Sequence, residues 1–328
     1  MKCINKWICL SLLIAVSCVS GCGKTSAAIE QPYDVYATAA DFGLSSNGTA
    51  EAKSYFASDL CVSEDVAIGT DSTDSQVAEG AGTFNLETNT VVYAKNLYER
   101  LYPASTTKIL TAYIALKYCD DLDAMVTVSE NAVNQASDSS VCNLKAGDVI
   151  RLRDLLYGLM LRSGNDAAVA IAEYISGDVD SFAALMNQEA AAMGATRSHF
   201  VNPNGLHDDD HYTCVYDMYL IFSNAIKNDT FVSIIGTTSY DVTYTDASGE
   251  AVTHTWENTN QYLTGNATTP DGFQIVGGKT GTTGEAGYCL VLYSYNPSGQ
   301  PIISIVFKAD GKSNLYLLMN EMLQGFAI

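Results

Sequence analysis

The sequence predicts an α+β fold, with one antiparallel sheet built from both chain ends and a helical cluster between them. Three observations carry this. Residues 81–95 and 273–308 read as strands, residues 106–228 read mainly as helices, and the chain closes on an amphipathic helix over 313–325. Strands flanking a helical middle bring the two ends of the folded region into a single sheet.

Taken in order, residues 81–86 and 90–95 are two strands joined by Glu87-Thr-Asn89, a hairpin. Apolar residues then recur at helical spacing over 106–118, 152–161, 167–175, 181–193 and 217–228. Pro103 stands just before the first of these, where a proline suits a helix start. Strand signals return at 273–279, 287–295 and 302–308, with the turn Asn296-Pro-Ser-Gly299 between the last two. No internal repeat and no second domain is evident in residues 79–328.

What precedes residue 79 has a different character. Lys2 and Lys6 form a positive start, and the apolar run over 7–19 is too short to span a bilayer comfortably, so residues 1–22 read as an export signal. It ends in Val19-Ser20-Gly21-Cys22, which resembles the bacterial lipobox, whose cysteine is lipidated and becomes the new N-terminus. Ordinary cleavage near Gly21 or Gly23 is the alternative. Residues 23–78 are rich in small residues and carboxylates, with only Lys24 and Lys53 as cations, and read as a flexible acidic tether.

Composition narrows the function. Of the 328 residues, 47% are hydrophobic, enough for a substantial core, and the formal charge is −20. Loss of Lys2 and Lys6 with the signal makes it −20 − 2 = −22. That excess excludes nucleic acid as a partner, since phosphate binding needs clustered positive charge. Beyond the signal and Cys22 remain Cys61, Cys119, Cys142, Cys214 and Cys289. Their odd number and the lack of a CxxC pair indicate mostly buried free thiols with at most one bridge, and no zinc pattern.

Three short segments carry chemistry. In Ser105-Thr-Thr-Lys108 the serine and lysine lie at i and i+3 on one helix face, so the amine reaches the hydroxyl. A serine is a weak nucleophile until a base takes its proton, and lysine serves if its pKa is depressed. Ser163-Gly-Asn165 adds a second hydroxyl and an amide, and Lys279-Thr-Gly281 adds a fixed cation. Each alone would be ordinary: a chance helical pair, a capping turn, a strand end.

Two other patterns fail. Gly23-Lys24-Thr25 and Gly278-Lys279-Thr280 lack the leading glycine of a phosphate loop, which would fall at Cys18 and Phe273. His207-Asp-Asp-Asp-His211 has no helical or finger-like frame for a metal.

In order, Tyr102-Pro-Ala-Ser-Thr-Thr-Lys108, Ser163-Gly-Asn-Asp166, Phe200-Val-Asn-Pro-Asn-Gly-Leu206, His211-Tyr212 and Gly278-Lys-Thr-Gly281 resemble the low-molecular-mass penicillin-binding proteins. Among these, the match is to the serine-type D-Ala-D-Ala carboxypeptidases. The resemblance covers residues 79–328 and implies a β-lactamase/penicillin-binding-protein-like fold with no cofactor and no metal. It implies that Ser105 attacks the bond between the terminal D-alanines of a peptidoglycan stem peptide, with Lys108 accepting its proton and Ser163 relaying one to the departing amine. Asn165 would hold the substrate backbone, Lys279, Thr280 and Thr282 would bind the terminal carboxylate, and the N–H groups of Ser105 and Thr282, beside Gly281, would form the oxyanion hole. His211 and Tyr212 would wall the site. β-Lactams would be covalent inhibitors, and a lipid on Cys22 would anchor the enzyme to the outer face of the cytoplasmic membrane. A serine β-lactamase is the enzymatic alternative, but no Glu-x-x-Leu-Asn deacylation loop lies between Ser163 and Lys279. An inert β-lactam-sensing lipoprotein is the other, and it would not need to keep the full residue set.

Overall fold

Among the described residues nine strands occur: β1 (Ala78–Asn85), β2 (Thr90–Lys95), β3 (Met125–Thr127), β4 (Val149–Arg151), β5 (Ser239–Thr245), β6 (Ala251–Glu257), β7 (Gln274–Thr283), β8 (Gly287–Tyr295) and β9 (Pro301–Ala309). They belong to a computed structural model that describes residues 57–328. The export signal, Cys22 and the tether as far as residue 56 lie outside the described residues.

The larger sheet has the order β2-β1-β9-β8-β7, with every neighbour antiparallel. β1 and β9, from opposite ends of the folded region, pair from Ala78↔Ala309 to Asn85↔Ile302, so the two ends do share one sheet. β8 and β9 are buried on both faces, which explains their near-continuous apolar sequence. On one face Leu290, Leu292, Ile302 and Val306 pack against the closing helix through Leu318 and Met322. On the other, Val291, Ile303, Ile305 and Phe307 join the core of the helical cluster.

The helices are α1 (Lys108–Tyr118), α2 (Glu130–Val133), α3 (Leu152–Tyr157), α4 (Asn165–Ser176), α5 (Val179–Ala192), α6 (Val215–Ala225), α7 (Asp229–Ile235) and the closing α8 (Lys312–Phe326). α1, α4 and α6 are apolar nearly all round, because the cluster and the sheet enclose them on most sides. The expected helix over 152–161 is α3 followed by a π-helical turn, Gly158–Arg162.

Two features depart from the sequence reading. A second sheet has the order β3-β4-β5-β6, and the sequence reading does not anticipate its hairpin β5–β6. The alternation was present, with Val242 and Tyr244 inward and Asp241 and Thr243 outward, but these polar strands carry little apolar weight. The tether boundary also moves. Ile68 pairs with Ala94, Cys61 is buried with its N–H donating to Tyr219 Oη at 2.8 Å, and Tyr216 Oη donates to the Cys61 carbonyl at 2.9 Å. Residues 59–78 are therefore part of the folded unit Asp59–Ile328, because a few apolar anchors outweigh an acidic composition. The cysteines follow the expectation: all five described ones are free thiols, four of them buried.

Candidate active site

Ser105 stands in a 3₁₀ turn, Ala104–Thr107, that feeds directly into α1. Hydroxyl back-bonds shape the turn: Thr106 Oγ1 donates to the Pro103 carbonyl at 2.7 Å and Thr107 Oγ1 to that of Ala104 at 2.8 Å. Ala104 adopts a left-handed φ of 47°, costly for a side chain with a Cβ, so the surroundings must hold it there. Gly205 supplies part of that fit. A Cβ at its left-handed position would lie 1.9 Å from the Ala104 carbonyl oxygen.

The i, i+3 spacing delivers what it promised. Lys108 Nζ lies 2.9 Å from Ser105 Oγ, 2.8 Å from Asn165 Oδ1 and 2.6 Å from the carbonyl oxygen of Asn204. Lys108 is wholly buried, and burial first, then the Lys279 cation, drives its pKa well below the ordinary lysine value.

Ser163 terminates the π-helical turn with a left-handed φ of 62°, and α4 then begins at Asn165. That reversal turns the Ser163 hydroxyl toward β7 and the Asn165 amide toward Lys108. Lys279 Nζ donates to Ser163 Oγ at 2.9 Å and to the Thr280 carbonyl at 2.9 Å. Burial lowers its pKa to about 7. The hydroxyls of Thr280 and Thr282 already have local partners, Thr259 Oγ1 at 2.6 Å and the Gly281 carbonyl at 2.7 Å. Gly281 allows β7 to pass close to the serine turn, since a Cβ there would lie 2.9–3.0 Å from Ser105 N, Pro103 O and Thr106 N.

All eight residues singled out from the sequence outside the signal therefore meet in one place. A 220 Å³ cavity is lined by Ser105, Ser163, Thr280, Gly281 and Thr282, and a contiguous 400 Å³ cleft by Ser105, Asn165, Asn204 and Glu285. Several participants were missed as individuals. Asn204 receives a Lys108 hydrogen bond through its backbone, although its segment was noted. Asp166, buried behind the site, accepts N–H bonds from Cys142 (2.8 and 2.9 Å), Leu144 (3.1 Å) and Ala167 (2.9 Å), which ties down the loop carrying Ser140. Its place after Asn165 in the second motif was the available signal, whereas Thr259 had none. Among the described residues no group of three or more metal-binding side chains occurs, and His211 is occupied by hydrogen bonds to Val201 and Thr107.

Comparison with known proteins leads to the same place. The family model for D-alanyl-D-alanine carboxypeptidases, Peptidase_S11, matches residues 69–311. D-alanyl-D-alanine carboxypeptidase DacF of Bacillus subtilis is 33% identical over 251 residues, 75% of this chain and 61% of that protein, so the chain spans less than two thirds of that relative. A D-alanyl-D-alanine carboxypeptidase of Streptomyces sp. strain K15 is 34% identical over 265 residues, 76% of this chain and 88% of that protein. The crystal structure of the Streptomyces K15 DD-transpeptidase superposes with a TM-score of 0.71 at 33% identity, covering 77% of this chain and 98% of that one. D-alanyl-D-alanine carboxypeptidase DacD from Francisella tularensis superposes with a TM-score of 0.67 at 28% identity, covering 81% and 72%.

Proposed function

The chain belongs to the D-alanyl-D-alanine carboxypeptidase family, and from that premise we propose that it is a serine carboxypeptidase that removes the terminal D-alanine from peptidoglycan stem peptides and is acylated by β-lactams. One observation carries the assignment of roles. A neutral lysine amine has two N–H groups and one lone pair, and Lys108 Nζ has three neighbours, of which the Asn165 and Asn204 oxygens can only accept. The two N–H groups go to those oxygens, and the lone pair is left facing the Ser105 hydroxyl. The amine is thereby aimed as a general base, and its depressed pKa favours the neutral form that role needs.

Ser105 Oγ attacks the carbonyl carbon between the two D-alanines as its proton passes to Lys108. The C–N bond then breaks, and that proton ends, through Ser163, on the nitrogen of the departing D-alanine. Water hydrolyses the ester by the same route in reverse. Lys279 spends two of its N–H groups on Ser163 and Thr280, leaving a third for the substrate carboxylate. Thr280 and Thr282 contribute hydroxyls to that carboxylate, and the N–H groups of Ser105 and Thr282 hold the oxyanion, an arrangement worth about 10²–10³ in rate per donor in comparable sites.

D-alanine release from a diacylated Lys-D-Ala-D-Ala tripeptide, with and without an added amine acceptor, tests this reading. Release without acceptor supports the carboxypeptidase; no release and no labelling of Ser105 by fluorescent penicillin overturns it.

Residues 1–22 act in this reading as a lipoprotein signal, and a diacyl lipid on Cys22 anchors the catalytic domain to the outer face of the cytoplasmic membrane. Val19-Ser20-Gly21-Cys22 and the apolar run before it support that. Cys22→Ala should abolish incorporation of labelled lipid; continued uptake by the variant refutes the anchor.

A further inference from the structure

His211 is buried, carries charge only in acid, and has no part in the chemistry above, yet one ring nitrogen faces Thr107 in the serine turn while the other is held by Val201. The Val201 N–H donates to Nδ1 at 3.1 Å, so Nδ1 is unprotonated and the ring proton sits on Nε2. Nε2–H then donates to Thr107 Oγ1 at 2.8 Å, and the Thr107 hydroxyl donates onward to the Ala104 carbonyl at 2.8 Å. Burial, outweighing the nearby Asp208 carboxylate, lowers the His211 pKa to about 4, and His199, Lys108 and His207 act in the same direction. Phe200 closes the edge of the ring, with centroids 5.4 Å apart.

The end of this relay is the left-handed residue next to the nucleophile. Ala104 holds its φ of 47° with its carbonyl fixed by the Thr107 hydroxyl and with Gly205 so close that no Cβ would fit there. We propose that His211 is a positioning residue for Ser105, acting through Thr107 to hold Ala104 in the conformation that presents the serine to Lys108. The inference rests on the serine carboxypeptidase reading, and it assigns to His211 a role in nucleophile geometry in place of a wall or a ligand. Misplacement of a reacting atom by about 1 Å can cost on the order of 10² in rate, so a distant hydrogen bond can matter here.

The test exploits the two nitrogens. Asparagine at position 211 keeps an acceptor near Nδ1 for Val201 but does not reach Thr107, whereas glutamine places an amide N–H near Nε2. With the full-length chain, the rate of Ser105 acylation by fluorescent penicillin should fall at least about tenfold in His211→Asn and stay within about threefold in His211→Gln. Thr107→Val should lose as much as His211→Asn, Thr107→Ser should retain the rate, and the double variant should be no slower than the worse single one, because both break the same relay. A role in folding alone predicts equal losses for the two His211 variants. That equality, or normal acylation in Thr107→Val, overturns the proposal. If the His211 variants do not fold, the Thr107 pair decides by itself. Wild-type protein that takes no label refutes the proposed function instead.

Discussion

Lys279 Nζ donates to Ser163 Oγ across 2.9 Å, a direct hydrogen bond from the strand motif to the helical one. It also sets a pH dependence. Burial brings the Lys279 pKa down to about 7, and the cation is the form that binds a carboxylate. As pH rises through 7 the free enzyme loses that cation, so kcat/KM for a substrate ending in a carboxylate should fall about tenfold per pH unit above 7. Bound substrate favours the charged form, which moves the limb in kcat to higher pH than the limb in kcat/KM. Steady-state profiles of both parameters between pH 5 and pH 10 check this. Coincident limbs, or a flat kcat/KM to pH 9, would refute it.

Ser105 should be the only acylated serine. Ser139 and Ser140 lie near the cleft but have no lysine one turn on, whereas Ser105 faces the Lys108 amine. Ser105→Ala should take no fluorescent penicillin, and peptide mapping of the wild-type protein should place the label on Ser105. Label on either of the other serines would sink the assignment.

Gly281→Ala addresses the close passage of β7. The added Cβ would meet three backbone atoms of the serine turn at 2.9–3.0 Å, and backbone cannot swing aside as a side-chain end can. The strand must retreat from Ser105, which opens the oxyanion site. Acylation should fall by an order of magnitude or more while Tm drops only a few degrees, the cost of overpacking being about 1–3 kcal/mol. Unchanged acylation would show that the approach is not used.

Asp166→Asn should act through stability. The carboxylate is buried and accepts N–H groups from Cys142, Leu144 and Ala167. An amide replaces one acceptor oxygen by a donor that faces those same N–H groups. The loss should be about 1–3 kcal/mol in urea unfolding, together with slower acylation as the Ser140 loop loosens. Wild-type stability would mean that the loop is held by other contacts.

How much of this could be read from the chain varies by element. β8 and β9 were legible because burial on both faces leaves an uninterrupted apolar run, and α1 because its periodicity follows a proline and a motif. The β5–β6 hairpin was not, since one face is solvated and half of its residues are threonine, tyrosine or aspartate. Ser105, Lys108, Ser163, Asn165 and Lys279 could be found because fixed spacing in a helix and a strand encodes their geometry. Asn204 donates no side chain to Lys108, only a carbonyl, and a backbone contribution leaves no residue-type signal. The packing of Cys61 and Ile68 was obscured by the carboxylates around them, which an averaged composition weighs more heavily than two anchors.

Penicillin should be turned over far more slowly than the peptide. On the proposed function both acylate Ser105, but the opened lactam keeps its leaving group attached, and that group stays where the deacylating water must approach. An enzyme that clears penicillin quickly needs a base placed on a separate line of attack. Among the described residues Lys108 is the only titratable side chain hydrogen-bonded to Ser105 Oγ. Asp166 is turned to backbone N–H groups, and Asp138 and Glu285 are exposed on the cleft wall. Lys108 must therefore serve both half-reactions, and Lys108→Ala should slow acylation and deacylation together, each by about 10²–10⁴. The decisive pair of rates is D-alanine release and recovery of activity after a penicillin pulse. Recovery complete within seconds would require a second base and would favour a β-lactamase, whereas recovery over many minutes matches a site in which one buried amine serves both steps.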